Sequence, residues 1–416
     1  MALTEAQARR AVRRAEVNWD EGVEDPRSDR NQRHSHHGIL SLLMVAFATG
    51  RVHLRDVENL GEDLGAGARR RLDLPRKVSD TTLYRTVAKT KPAGFRETVQ
   101  RQVHKQLEQK VVRNDLFRLG VVSFDGKCTW VSTKSEVKVK GAKTSVEPNS
   151  GVVVSSLSAL KAVLTSSSAN PCLDLELIAE KTGESPAFRE VFPRVCQSFG
   201  AQFQVVTGDA GFTCRENALL VRKAGKDFLF ALKGNQPTLY AFAEKWFSTW
   251  PGAALKESRE WRNGACITRT LHAVQGADLP ELAACGVEEL WCVRQVTQAE
   301  GESPIEETRY FLSSMASKRL SPTEKLQLVR LHWGIENGHN WTLDVALAED
   351  DVQPCQASKE AIEVVAWLRV LAYNLLSAWR AHAPKKDGKP MPWRRTMEQL
   401  RDALVAPLVE LRSTLA

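Results

Sequence analysis

The sequence predicts an α/β protein with a mixed-sheet core, an α-helical N-terminal domain and a β-rich insertion within the core. Three observations predict this class. Up to about residue 118 the apolar residues follow helical spacing. From residue 119 segments rich in β-branched residues form a predicted meander of strands, and strands then alternate with helices. A second run of strand-like segments interrupts this alternation before another strong helix begins.

The composition favours a globular protein with a polyanionic partner. At 416 residues the chain is long enough for two or three folding units, and its 43% hydrophobic and 26% charged residues are ordinary proportions. The net charge of +8 favours a polyanion, because each phosphate neutralised by Lys or Arg releases condensed counterions. A membrane protein or a disulfide-stapled miniprotein is not expected.

The expected compartment is the cytoplasm. The eight cysteines are scattered without a CxxC pair, which favours reduced thiols over disulfides or a zinc site. The first 16 residues contain arginines but are not followed by the apolar stretch of a signal peptide. No apolar run approaches the roughly 20 residues of a membrane span, and the run from residue 39 to 48 is expected to be a buried helix.

Residues 1–118 are predicted to form the helical N-terminal domain. Ser79 or Asp80 suits the N-cap of a helix in VSDTTLYRTVAKTK, and a charged helix is predicted from Pro92 to Lys110. These helices are typical of a small DNA-binding module, and a helical cap packed on the next domain is the alternative. The candidate DNA contacts in this domain are basic: Arg27, Arg30, Arg33 and Arg85.

The rest of the chain divides into a core in two parts, an insertion and a tail. The core covers residues 119–246 and 315–382, the β-rich insertion covers residues 247–314, and residues 383–416 are a linker followed by an amphipathic helix near Thr396. A meander of strands followed by alternating strands and helices is the order expected of a ribonuclease H-like mixed sheet.

Two aspartates stand at the ends of predicted central strands. Asp125 follows the apolar segment VVSF and precedes Gly126, and Asp209 follows FQVVTG. A carboxylate at such a position is partly desolvated. A lone Asp at a strand end is nevertheless most often a turn or cap residue, so neither aspartate is sufficient by itself.

A third acid, Glu336, lies in a strongly predicted helix. Ser321 is its expected N-cap, with a proline in the first turn and Glu324 completing a capping box. At 100° per residue, Glu336 shares the buried apolar face of this helix with Leu326. An ionised side chain there needs a partner, either a metal ion bridged by other carboxylates or a salt bridge, for instance with Arg330 or a lysine of the sheet.

Together the three acids form an oxygen-only ligand set suited to Mg²⁺ or Mn²⁺ rather than zinc. Two such ions about 3.5–4 Å apart activate an attacking water or 3′-hydroxyl and stabilise the leaving oxygen in a displacement at phosphorus. This chemistry requires no nucleophile from the protein.

Several segments carry a resemblance to a known family. They are DPRSDRNQRHSHHGILSLLMVAFATG, VSDTTLYRTVA, FDGK, GDAGF through DFLFALKGNQP, RYFLSSM, HWGIENGHNWTLDVALAEDD and WLRVLAYNLL. The sequence resembles the DDE transposases of bacterial insertion sequences, in the ISAs-type branch that includes the H-repeat-associated proteins. The resemblance covers most of the chain, and FDGK, LKGNQ and HWGIEN in this order are together highly specific.

The resemblance implies that Asp125, Asp209 and Glu336 are the catalytic and metal-binding triad of a ribonuclease H-like core. The implied activity is two-metal-ion cleavage and joining of DNA strands at the ends of an insertion sequence. The chain departs from related transposases around the third acid, where Val329, His332 and Leu343 occupy spacings at which Tyr, Arg and Lys often stand.

The expected partner is double-stranded DNA, both element ends and target, with a homodimer that forms on DNA and a cytoplasmic, nucleoid-associated location. Lys127, on the same side of an extended strand as Asp125, is a candidate contact to the scissile phosphate, and an exposed strand lysine is the alternative. Other candidate DNA contacts lie near the acids: Lys233, Asn235, Gln236 and His332. For residues 233–236, turn formation is the alternative.

Two further functions stay open on the sequence alone. The first is a domesticated relative that retains nuclease activity without joining strands. The second is a sequence-specific DNA-binding protein that has lost catalysis, which the presence of all three acids disfavours. Strands of the insertion and the C-terminal helix are the candidate dimer contacts.

Overall fold

The structure is a computed structural model of the chain. It describes residues 17–19, 21–28, 30, 32–133, 139–147, 151–178, 183–249, 252–262, 264–276 and 286–405.

Helices build the described N-terminal region, as the sequence predicts. Ser79 caps one of them by accepting a hydrogen bond from the Thr82 backbone N–H at 3.3 Å, which confirms the predicted N-cap. The bounds are α1 His36–Ala48, α2 Leu54–Asp63, α3 Ala66–Arg71, α4 Asp80–Lys89 and α5 Phe95–Glu108.

Ten strands in the described residues form one mixed sheet. They are β1 Val121–Ser132, β2 Lys143–Val146, β3 Val153–Leu164, β4 Cys172–Leu177, β5 Val205–Gly208, β6 Asp227–Leu232, β7 Lys256–Arg262, β8 Ala265–Gln275, β9 Glu289–Ala299 and β10 Ile305–Ser313. The strand order is β2–β3–β1–β5–β6–β10–β9–β8–β7, and β4 also pairs with β3.

Strand direction changes across the sheet. β1, β5 and β6 are parallel, whereas β3 runs antiparallel to β1 and β4 runs antiparallel to β3. The predicted β-rich insertion continues this same sheet beyond β6, because β10 pairs antiparallel with β6 and β7–β10 form an antiparallel meander. The sheet is therefore parallel at its centre and antiparallel toward both ends.

The remaining helices cover the sheet and complete the core. They are α6 Glu184–Phe199, α7 Arg215–Lys223, α8 Pro237–Ser248, α9 Pro322–His332, α10 Trp341–Val345, α11 Lys359–His382 and α12 Trp393–Val405, with a π-helix at Ile335–Asn340 between α9 and α10. The predicted capping box at the start of α9 is present.

The N-terminal helices share a core with the rest of the chain. Gln102 and Gln106 of α5 donate hydrogen bonds to main-chain carbonyls of α11 at 3.1 and 3.3 Å. Arg96 of α5 pairs with Asp174 of β4 at 2.9 Å, and α1 is buried along almost its whole length. Helices α1 and α5 therefore have the packing expected of a cap.

The helix α11 is long and apolar, although no run of the sequence was expected to approach the length of a membrane span. It has 24 residues with a mean hydropathy of 1.4 over its most apolar window, so by length and composition alone this helix, among the described residues, could cross a membrane. Because 94% of that window is buried inside the protein, its environment is that of a core helix.

The last described helix also packs inward. α12 begins at Trp393, three residues before the predicted start, and buries Leu400 and Leu404. The Gly65 backbone N–H donates to the Leu404 carbonyl at 3.3 Å. The end of the predicted tail, residues 406–416, lies outside the described residues.

Candidate metal centre

Asp125 and Asp209 emerge from neighbouring positions of two parallel strands. β1 pairs with β5 up to Phe124 and Gly208, so each aspartate directly follows the last paired residue. The predicted strand end at Asp125 is wrong, because β1 continues to Ser132 in its pairing with β3. The register still brings the two aspartates together at the centre of the sheet.

A short 3₁₀ turn, Ala210–Phe212, orients Asp209. Its Oδ1 accepts a hydrogen bond from the Gly211 backbone N–H at 2.7 Å. The side-chain amides of Asn235 and Gln236 donate to main-chain carbonyls in and just after this turn, at 2.6 and 2.8 Å. These two predicted DNA contacts therefore hold the loop that carries Asp209.

Glu336 lies on the π-helix that follows α9. Since α9 ends at His332 and the π-helix has wider i→i+5 spacing, the predicted continuous helical face stops before Glu336. The residue is exposed, so the expectation that it points into an apolar core is wrong. Arg330, its expected alternative partner, pairs with Glu260 instead, at 3.0 Å.

A fourth carboxylate, Glu184, lies between the two aspartates and was not singled out from the sequence. A Cβ added to Gly126 would stand 2.0 Å from Glu184 Oε1, and a Cβ added to Gly211 would stand 2.9 Å from Oε2. In the sequence this Glu resembles an ordinary acidic residue in the first turn of a helix, here α6. Only its closeness to Gly126 and Gly211, which are far from it in sequence, distinguishes Glu184 from such a residue.

Burial and the charges of neighbouring acids raise the pKa values of Asp125, Glu184 and Glu336. Burial raises the pKa of Asp125 to about 7, with further increases from the charges of Glu336, Glu184 and Asp209. Burial also raises the pKa of Glu184, and Asp209 adds to that rise. Although Glu336 is exposed as a residue, partial desolvation of its carboxyl raises its pKa; Lys233 opposes the shift and Asp209 reinforces it. A cation among these carboxylates would relieve the repulsion.

The donor set fits a hard divalent cation. Asn340 donates through Nδ2 to Asp125 Oδ2 at 2.7 Å, while its own buried Oδ1 has no hydrogen-bond partner among the described residues. Carboxylate and amide oxygens are the ligands that Mg²⁺ prefers in proteins. In the described residues, however, no three Asp, Glu, His or Cys side chains are already arranged to hold an ion. A metal ion would have to draw the carboxylates together.

A buried ion pair lies beside Asp125. Lys161 on β3 is the cross-strand neighbour of Asp125. Its Nζ lies 3.1 and 2.9 Å from the two carboxylate oxygens of Glu349, and both side chains are almost fully buried. Thr129 donates a further hydrogen bond to Glu349 at 2.8 Å. Lys161 is therefore neutralised by its own partner.

Lys127 is held by acidic side chains rather than open to solvent. It pairs with Asp350 at 2.8 Å, with Glu349 at 3.5 Å and with Asp344, and its side chain is 12% exposed. Burial would lower its pKa, but these carboxylates raise it above its usual range. Lys127 is therefore not the exposed strand lysine that was the alternative to a contact with the scissile phosphate.

His332 and Lys233 occupy opposite environments near Asp209. His332 is buried, with Nδ1 at 3.3 Å from Thr207 Oγ1, and burial lowers its pKa to about 4 although Asp209 opposes that shift. It is therefore neutral near pH 7 and links the end of α9 to β5. Lys233 is 66% exposed and lies 3.8 Å from Asp209 Oδ2, so it can reach a ligand at the site.

The N-terminal region contains a basic groove of about 770 Å³. This N-terminal basic groove brings together three of the four arginines predicted to contact DNA, namely Arg27, Arg33 and Arg85. The fourth, Arg30, is exposed but is not among the described residues that line the groove. Its basic lining residues are Arg27, Arg33, His34, Lys77, Arg85 and Lys89. Some are paired, since Arg27 contacts Asp25 at 2.8 Å.

Protein-family models match two regions of the chain. The model described as Transposase DDE domain matches residues 159–375, and the model described as DDE_Tnp_1-associated matches residues 21–102. Asp209 and Glu336 lie within the first match, and Asp125 precedes it.

Similar proteins occur in Escherichia coli. The chain is 25% identical to the protein YbfL of strain K12 over 387 residues, which cover 85% of this chain and 88% of YbfL. It is 25% identical over 385 residues to the H repeat-associated YhhI of strain K12, named as a candidate transposase, with the same coverage of 85% and 88%. It is 30% identical over 202 residues to YncI of strain O157:H7, also named as a candidate transposase, covering 44% of this chain and 48% of YncI.

Among solved structures, the chain is similar to the piggyBac transposase in a synaptic complex with hairpin DNA. The TM-score is 0.43 at 10% identity, over 89% of this chain and 70% of that one. The transposase DDE model alone spans more than half of the chain. The chain therefore belongs to the DDE transposase family and is a DNA transposase, an enzyme that cuts and joins DNA strands with the help of divalent metal ions.

Proposed function

We propose that Asp125, Asp209 and Glu336 are the catalytic triad and hold two ions of Mg²⁺ or Mn²⁺ while DNA is cut and joined at the ends of an insertion sequence. The observation that carries the proposal is the convergence of these acids. Two follow matched positions of the parallel strands β1 and β5, and the third is close enough for its charge to raise the pKa of Asp125. Like charges so placed need a cation to stay ionised together.

A ribonuclease H-like core is the proposed fold. Its support is the order β4–β3–β1–β5–β6, in which β3 and β4 lie on one side of β1 and the parallel strands β5 and β6 on the other. The strands of the insertion separate the second acid from the third in sequence while continuing the sheet from β6. The core can therefore close around the acids despite the long insertion.

The chain's own residues have distinct proposed tasks at the site. When bound, the two ions would activate an attacking water or 3′-hydroxyl and stabilise the leaving oxygen. Asn340 orients Asp125 by hydrogen bonding, and His332 fastens the end of α9 to β5. Lys233 supplies a positive charge beside Asp209, where a phosphate of the DNA would approach.

Double-stranded DNA, as element end and as target, is the proposed partner. The N-terminal basic groove is the proposed contact surface, because Arg33, Arg85 and Lys89 are exposed at its lining and can neutralise phosphates. Arg30 is a further proposed contact near it in sequence. Because the proposed substrate is chromosomal DNA, the proposed location of the protein is the cytoplasm, in association with the nucleoid.

The test is strand cleavage of end DNA by Asp125→Asn, Asp209→Asn and Glu336→Gln in the presence of Mg²⁺. Each change removes a ligand charge at nearly constant size, so we expect cleavage to fall by at least about 100-fold. DNA binding in a mobility-shift assay should be nearly unchanged. The control is Glu190→Gln, an exposed position of α6, which should cleave normally. Near wild-type cleavage by any of the three variants contradicts the triad.

A further inference from the structure

We propose that Glu184 is a fourth metal-binding carboxylate of this site and shares the ions with Asp125 and Asp209. The inference rests on the proposed metal centre and extends it by a residue that lies outside the DDE triad. Four observations support it: the way the chain makes room for Glu184, the lack of any other partner for it, the unpaired amide oxygen of Asn340, and the charge of the assembled site.

The chain leaves space for Glu184 at both aspartates. Gly126 directly follows Asp125, and a Cβ there would meet the Glu184 carboxyl at 2.0 Å. Gly211 lies two residues after Asp209, and a Cβ there would meet the other carboxyl oxygen at 2.9 Å. One carboxylate thus rests against the backbone beside both acids. Any side chain at residue 126 would push it out of this position.

Glu184 has no structural partner that explains this position. Among the described residues it makes no hydrogen bond and no ion pair, although burial and the charge of Asp209 raise its pKa. Lys233, the lysine that opposes this rise, is paired with Asp209 at 3.8 Å. An unpaired carboxylate held beside two others is unfavourable unless a cation joins them.

An independent observation points to a ligand beside Asp125. Asn340 is 7% exposed, and its amide nitrogen donates a hydrogen bond to Asp125. Its Oδ1, in contrast, is buried without a hydrogen bond among the described residues. A buried amide oxygen left unpaired is costly. A hard cation bound beside Asp125 would be a partner for this oxygen.

The charge of the site agrees with four ligands. The nearest buried cation, Lys161, is paired with Glu349, and its lowering of the Asp125 pKa is outweighed by burial and by the neighbouring acids. Three carboxylates leave two divalent ions with an excess of positive charge, whereas four carboxylates balance them.

The experiment is a Mn²⁺ titration of the full-length protein without DNA, followed by isothermal calorimetry and by thermal unfolding. For Glu184→Gln we expect a higher melting temperature than wild type in the absence of metal, because a like-charge contact is removed. We expect its Mn²⁺ affinity to fall by at least about tenfold and the stabilisation by Mn²⁺ to shrink. Glu190→Gln on the same helix is the matched control and should behave as wild type.

Asp209→Asn separates this inference from the proposed triad. If Asp209→Asn loses Mn²⁺ binding while Glu184→Gln binds with wild-type affinity and stoichiometry, Glu184 is not a ligand and the triad stands. If both variants bind Mn²⁺ as wild type does, the metal lies elsewhere and both proposals fail. Loss of affinity in both variants, with Glu190→Gln unchanged, is the result expected.

Discussion

At the scale of single residues, the ion pair between Lys161 and Glu349 stabilises the part of the sheet that lies beside Asp125. Taking two charges out of water is costly, and the attraction between them compensates only when their other hydrogen-bonding groups are satisfied. Here Thr129 satisfies one Glu349 oxygen that Lys161 also contacts. Burial would raise the pKa of Glu349, but Lys161, Lys127 and Arg369 lower it to about 2.

Removing one partner of this pair should lower the free energy of unfolding more than removing both partners. We expect Glu349→Gln to lower the free energy of unfolding by about 3–5 kcal/mol, because it leaves Lys161 charged and buried. The double variant Lys161→Met with Glu349→Leu should lose less than the single variant. Urea denaturation of the single and double variants measures this difference, and a double variant at least as destabilised as Glu349→Gln would show that the two side chains do not act as a pair.

The same pair predicts a pH dependence of stability. The pKa of Glu349 is about 2 in the folded protein against an ordinary value of 4.5, so its stabilising contribution is present above pH 4.5 and is lost as the pH falls toward 2. The difference in unfolding free energy between wild type and Glu349→Gln should therefore narrow below pH 4.5. A difference that stays constant from pH 6 to pH 3 contradicts this assignment.

At the scale of elements, the sequence predicted what local signals determine. The start of α9 follows from Ser321 and Glu324, whose reciprocal hydrogen bonds of 3.3 and 2.8 Å need only neighbouring residues. The exposed position of Glu336 depends on the π-helix, which is accompanied by the distant contact between Asn340 and Asp125. Glu184 could not be found because it meets the aspartates only after the sheet has formed.

The N-terminal basic groove makes α4 the element to test for DNA binding. We expect the double variant Arg33→Ala with Arg85→Ala to bind end DNA more weakly and to reduce the slope of log affinity against log salt by about 2. Arg394→Ala is the control, since this arginine of α12 is 93% exposed and lies outside the groove. Filter binding at several salt concentrations measures the slope, and equal slopes for the three proteins would exclude the groove as a phosphate contact.

At the scale of the whole molecule, the two edges of the sheet leave different surfaces for assembly. The C-terminal helix α12, a predicted dimer contact, buries its apolar face against the core. The other predicted contact was the insertion, and its edge strand β7 is largely exposed, with Trp261 78% exposed. The opposite edge carries the short strand β2, where Val146 is 62% exposed. Of the two predicted dimer contacts, the exposed strand β7 of the insertion is thus a better candidate than α12 for a contact between two copies.

We expect the active transposase to be a homodimer on DNA, because two element ends must be held together while each cut strand awaits its joining partner. Trp261→Lys should reduce the mass of the complex with end DNA to that of one chain and abolish strand transfer, because a charge on the edge of β7 opposes pairing between copies. Val146→Lys places the same charge on the opposite edge of the sheet and should leave a dimer. Light scattering on the DNA complex, combined with a strand-transfer assay, measures both effects. A fully active complex that contains a single chain rules out the dimer, and a dimeric, active Trp261→Lys protein rules out β7 as its contact.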